Sequence, residues 1–133
     1  MTSKVTYLGD LRTSSIHLQS GAEILSDAPL DNNGKGEAFS PTDTVANALA
    51  SCMMTVMGIK ARELEIDLQG SIAAVTKVMS TDPRRIGAIE ILFEMSGVVA
   101  VKNKIILERV AMTCPVFESL NAEIEKRINF NWK

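Results

Sequence analysis

The feature that most constrains this chain is a stretch in its middle that carries almost no charge. From Thr44 to Ile59 the sequence reads TVANALASCMMTVMGI, and charge returns only at Lys60, Arg62 and Glu63. Apolar side chains at Val45, Ala48, Leu49, Cys52, Met53, Val56 and Ile59 recur at helical spacing. The preceding SPTD is a start signal: Ser40 suits the N-cap, Pro41 suits the first helical position, and Asp43 can reach back to the cap while complementing the helix dipole. The pattern predicts a helix of about 24 residues, about 36 Å long. A helix so poor in charge must be covered on most of its sides. The apolar run is short and polar for a bilayer span, with Asn47 and Ser51 inside it, so it is expected as a buried central helix.

The rest of the chain has to cover that helix. Before it, KVTYLG, SSIHLQSG and AEILSDAP alternate as short strands around turns at Gly9-Asp10 and Ser20-Gly21. LDNNGKGEAF matches neither a Walker A loop nor GxGxxG and is expected to be a turn-rich connector. After the helix come two strands, DLQGSIAAVTKVMS and IGAIEILFEMSG, split by TDPRR. A helix over Val101 to Met112 follows, with Ile105, Ile106 and Val110 expected inward. Pro115 opens another, with Val116, Leu120 and Ile124 on one face, and INFNWK alternates as a closing strand. Three strands, a helix, two strands, two helices and a strand make an α+β fold without doubly wound alternation.

The 133 residues are expected to form a single domain, 1–133. Composition is 46% hydrophobic but only 5% aromatic, so aliphatic side chains and Met supply the core. A positive mean hydropathy, +0.11, points to apolar surface covered by a partner subunit. The net charge of −2 and the lack of a basic stripe argue against nucleic acid as a partner. No signal core follows Met1, so the expected location is cytoplasmic, where thiols stay reduced and a purely structural disulfide is unusual.

Chemistry is therefore sought in the two cysteines, Cys52 and Cys114. Cys114 precedes Pro115 at a helix start, where backbone N–H groups favour thiolate, so a lowered pKa is expected. Cys52 lies on the apolar face of the long helix, where burial keeps a thiol inert unless a cation is supplied. On residue types alone, two ordinary buried cysteines are the plainer reading. One His and two distant Cys form no metal-ligand pattern, and no metal or organic cofactor is expected. His17 reads as a surface polar residue. The methionines read mostly as core, although Met53, Met54 and Met57 beside Cys52 suit an apolar substrate slot.

FSPTDTVANALASCMMT followed by CPVFESL resembles the OsmC/Ohr family, the osmotically induced and organic hydroperoxide resistance proteins, over essentially the whole chain. The resemblance implies an OsmC-like fold, an intertwined homodimer and a thiol-dependent peroxidase. It implies Cys52 as the peroxidatic and Cys114 as the resolving cysteine, with an arginine from the N-terminal strands supporting the first. Arg12 is the arginine that precedes the long helix. Its guanidinium would stabilise a Cys52 thiolate and the alkoxide released as the peroxide bond breaks. Many relatives orient that arginine with a glutamate at the position of Thr42; here the acid is Asp43, turned about 100° on a helix. Asp43 then orients Arg12 or only caps the helix, with Glu37 or no acid holding Arg12 instead.

The implied substrate is an alkyl or lipid hydroperoxide, and the implied partner an external dithiol, of dihydrolipoamide type or a small thiol. A Cys52–Cys114 disulfide would restrain the unfolded chain by roughly 4 kcal/mol on the loop-entropy model. Two other readings stand beside this one: a non-catalytic protein holding a small hydrophobic ligand at the dimer interface, and a scaffold dimer with inert cysteines.

Overall fold

The computed structural model describes residues 1–133, which form two compact units, residues 1–45 and 46–133. In the first unit β1 (Ser3–Gly9), β2 (Arg12–His17) and β3 (Glu23–Asp27) form an antiparallel meander in that order. Gly9, Asp10 and Leu11 turn the chain between β1 and β2 with φ of +84°, +52° and +62°, the left-handed region that glycine enters most freely. The second turn is closed by the His17 N–H donating to Ala22 O at 2.8 Å and the Gly21 N–H donating to His17 O at 2.8 Å. That closure sets the register, in which Arg12 lies directly opposite Asp27.

The Asn- and Gly-rich connector does more than span a gap. It makes a 3-10 turn at Leu30–Asn32 and folds back, with the Gly34 N–H donating to Pro29 O at 2.9 Å and the Gly36 N–H donating to Ala28 O at 3.2 Å. Gly34 sits so close to the neighbouring backbone that a Cβ there would fall 1.7 Å from the Ala28 carbonyl oxygen.

Helix α1 (Pro41–Glu63) starts where the sequence places it. The Ser40 N–H donates to Asp43 Oδ2 at 2.9 Å and the Asp43 N–H donates to Ser40 Oγ at 3.0 Å, a reciprocal capping box. At 23 residues, about 34 Å, the helix is long and apolar enough by length and composition alone to cross a membrane, which corrects the length argument above. Its buried stripe instead enters a protein core: Ala46, Leu49, Ala50, Met53, Met57 and Ala61. Val45 and Ile59, members of the apolar set at helical spacing, are exposed, Ile59 at 58%. The helix is apolar on more than one side, so periodicity alone could not select its buried face.

The second unit contains β4 (Ile72–Ser80), β5 (Arg85–Met95) and β6 (Glu125–Trp132), with β5 central, antiparallel to β4 and parallel to β6. Ile89, Ile91, Phe93 and Met95 alternate into the core, and Phe93 stacks on its strand partner Phe130 at 5.0 Å. Residues 67–71, expected at the start of β4, make a turn in which the Gln69 N–H donates to Asp67 Oδ1 at 2.8 Å. The parallel β5–β6 pair requires a crossover, supplied by α2 (Val101–Ala111) and α3 (Pro115–Ser119). In α2 the buried positions are Leu107 and Ala111, while Ile105 turns outward. The expected third helix is cut to five residues: Leu120 is extended, and the Asn121 side chain accepts from the Glu123 N–H at 2.9 Å, opening a turn. Ile124 is buried from that turn and not from a helix.

Two substitutions probe these local devices. Ser40→Ala removes the cap acceptor and should cost about 1 kcal/mol, lowering the melting temperature by roughly 3–5 °C. Gly34→Ala must displace the Ala28 backbone and should melt lower still; thermal unfolding followed by circular dichroism gives the order.

Candidate functional site

In the second unit the two thiols meet. Cys52 is half-buried on α1, and Cys114 is fully buried, 0% exposed, one residue before α3. Both are free thiols. Cys114 takes an extended backbone, φ −63° and ψ 145°, and its Sγ accepts the Phe117 N–H at 3.2 Å, with Pro115 at the first helical position. The sequence CPVF is thus a helix cap whose capping atom is sulfur.

Burial pushes the Cys114 thiol up from its ordinary value. The Phe117 N–H opposes that, and the Cys52 side chain, as hydrogen-bond partner and like charge, adds to it. The lowered pKa expected from the helix start is therefore overturned. A single five-residue turn offers a weak dipole, and desolvation outweighs it. Desolvation therefore favours the protonated form of the Cys114 thiol. Cys52 is partly exposed and Cys114 is not, so the two residues differ in access.

Around the pair the methionines divide. Met53 and Met57 are fully buried core residues, which removes them from the expected substrate slot. Met54 is half-buried and lines two open grooves along α1, one with Ala50, Ser51 and Thr55, the other with Gly58 and Ala61. Val116 and Phe117 pack partly buried against the same core as both cysteines.

In the first unit Arg12 opens β2 and is held by carboxylates. Its Nε donates to Asp27 Oδ1 at 2.7 Å, and its Nη2 donates to Asp27 Oδ2 at 2.8 Å and to Glu37 Oε2 at 3.0 Å. The Glu37 backbone N–H donates to Asp27 Oδ2 at 3.1 Å. Asp27 is 1% exposed, and the Arg12 hydrogen bond holds its carboxyl below the usual carboxylate range. The same contact raises the guanidinium further above its already high value.

Of the acids considered from sequence, Glu37 bonds Arg12, whereas Asp43 forms the reciprocal cap with Ser40. Asp27 was not anticipated. The signal for it is the β2–β3 register, which cannot be read until the turn between those strands is known to close from His17 to Ala22. His17 lies in that exposed turn with its Nδ1 2.6 Å from Ser20 Oγ.

A family described as OsmC, OsmC-like protein, matches residues 34–129. A protein from Psychrobacter arcticus 273-4, provisionally named for osmotic stress induction and a detoxification response, is similar at 53% identity, with 98% of this chain and 96% of that one covered and a TM-score of 0.96. An OsmC like protein from Mycoplasma pneumoniae is 18% identical over 98% of this chain and 94% of its own, with a TM-score of 0.81. An organic hydroperoxide resistance protein OsmC from Legionella pneumophila is 12% identical over 98% and 97%, with a TM-score of 0.72. The last two likenesses concern the fold alone. Comparison with curated protein sequences gives no significant match. With the family match covering most of the length and a 53%-identical structure superposing over nearly all of it, the chain belongs to the OsmC-like protein family.

Proposed function

We propose that this protein is a thiol-dependent peroxidase that reduces organic hydroperoxides. The observation that carries the reading is the pairing of a partly exposed cysteine, Cys52, with a fully buried neighbour, Cys114, whose protonated form desolvation favours. Fold relatives named for organic hydroperoxide resistance support it.

The chemistry balances on these two sulfurs. Cys52 thiolate attacks the terminal oxygen of ROOH; an S–O bond forms, the O–O bond breaks, and ROH leaves after taking up a proton. Cys52 is now a sulfenic acid, oxidised by two electrons. The Cys114 sulfur attacks Cys52, the S–S bond forms, the S–O bond breaks, and water departs with the proton of Cys114. An external dithiol then reduces the pair through a mixed disulfide and leaves as its own disulfide.

The apolar surroundings of Cys52, which packs partly buried against the core, suit an alkyl or lipid chain better than hydrogen peroxide. The homodimer belongs to the same proposal. Val5, Tyr7 and Ile24 on the meander and Ile59 on α1 are exposed large apolar side chains that a second subunit would cover.

Dithiothreitol-driven consumption of cumene hydroperoxide tests the reading. Wild type should turn over and lose two hydrogens by intact mass after one equivalent of peroxide. Cys52→Ser should be inactive, and Cys114→Ser, given one equivalent of peroxide without the dithiol, should gain one oxygen by mass and form no intramolecular disulfide. Free thiols and no consumption in all three would sink the proposal.

The raised Cys114 pKa gives a second expectation. Disulfide closure after a peroxide pulse, read by acid quench and mass, should accelerate as pH climbs above the free-cysteine value of about 8.5, because only then does the attacking thiolate accumulate. The same shift makes folding stability complete below about 8.5 and lower as pH rises beyond it. The melting temperature of wild type should therefore fall more between pH 7 and pH 10 than that of Cys114→Ser.

A further inference from the structure

We propose that the outward face of α2 docks on a lipid bilayer with anionic headgroups. The face lies wholly within residues 46–133, and the contact is independent of the peroxidase reading.

Leu107 and Ala111 seat α2 in the core, so the opposite side of the helix faces outward. At about 100° per residue, Val101, Ile105 and Met112 fall within about 40° of one another on that side. All three are exposed, Val101 at 72% and Ile105 at 46%, and Val98, fully exposed just ahead of the helix, extends the stripe. Large aliphatic side chains gathered in one open stripe mark a contact surface, which scattered ones do not. Lys102 and Arg109 come next around the helix, about 80–100° from Val101, and they are exposed as well.

Charge decides which surface fits. The helix carries Lys102, Lys104 and Arg109 against a single acid, Glu108, in a chain of net charge −2. Glu108 is turned to β6, where its Oε1 accepts the Trp132 Nε1–H at 2.8 Å, and Lys104 lies over the same ring at 5.9 Å. Lys102 and Arg109 edge the apolar stripe without an acid of their own, whereas Arg85 and Arg127 each hold a glutamate. A second copy docked on this face by twofold symmetry would bring those cations against their own copies. A nucleic acid would take the charges and leave the aliphatic stripe in water. An anionic bilayer satisfies both parts. The aliphatic side chains enter the headgroup boundary, while the long stems of Lys102 and Arg109 keep their charges among the headgroups. The stripe ends at Met112, two residues before Cys114, so it adjoins the segment that carries the second thiol.

Cosedimentation with vesicles of equimolar phosphatidylcholine and phosphatidylglycerol, set against phosphatidylcholine alone, reads the contact directly. Wild type should pellet with the mixed vesicles and not with the neutral ones. Binding should weaken in about 1 M salt, where the screening length falls to about 3 Å. Lys102→Gln with Arg109→Gln should lower the partition coefficient about fivefold for each charge removed. Val101→Ser with Ile105→Ser should lower it too and leave the salt dependence in place. These side chains are exposed, so the melting temperature should hold in both variants. Arg62→Gln, which removes an exposed cation of α1, is the control for diffuse attraction and should bind like wild type.

Wild type left in the supernatant overturns the proposal. So do equal binding to neutral vesicles, α2 variants that bind like wild type, and a loss in Arg62→Gln of the same size per charge. Sedimentation equilibrium without lipid reads the other occupant, a second copy. A lower mass for Val101→Ser with Ile105→Ser than for wild type assigns the face to a subunit contact and overturns lipid docking, and an unchanged mass supports it.

Discussion

Burial of one stripe of α1 is the constraint on which residues 46–133 depend. Leu49, Met53 and Met57 are enclosed with Ile89, Ile91, Phe93 and Met95 of the central strand in one apolar cluster. Each such side chain contributes about 1.5–3 kcal/mol on burial, against about 1 for a helix cap. The core therefore sets how α1 is rotated, while Ser40 and Asp43 set only where it begins. Because Met53 is driven fully inward, its neighbour Cys52 is carried to the edge of the same face, half-covered and reachable. The placement of the proposed nucleophile is a by-product of packing that does not involve it.

The second thiol follows the same rule from the other side. Leu107 and Ala111 seat α2 in the core, and the chain then enters a five-residue helix at Pro115 with Cys114 sealed at its start. Helix-end electrostatics and desolvation act on this sulfur in opposite directions. In so short a helix the backbone offers a hydrogen bond from Phe117 but little dipole, so desolvation prevails and the thiol is kept protonated. An enclosed cysteine beside a partly exposed one is the arrangement on which the proposed disulfide chemistry rests.

In residues 1–45 the deciding interaction is electrostatic. The buried Asp27 carboxylate would be costly alone, and Arg12 across the strand pair compensates it with two short charge-assisted bonds. The connector is drawn into the same arrangement through the Glu37 backbone and side chain, and the tight approach of Gly34 to Ala28 lets that loop close. One charged pair thus organises both a strand register and a loop.

The sequence by itself determined the order of elements, the start of α1 at SPTD and the turn-forming character of the connector. These are local properties: capping, alternation and turn chemistry depend on residues a few positions apart. Only the tertiary structure decided which face of an all-round apolar helix is buried, because that depends on what the sheet offers and not on the helix. It likewise shortened the third helix, through an Asn121 turn that competes with continuation. It reversed the expected acidity of Cys114, since desolvation is a property of everything packed around a sulfur. And it added Asp27 to Glu37 as a partner of Arg12, because cross-strand partnership follows from hairpin register, which a turn of unknown length leaves open.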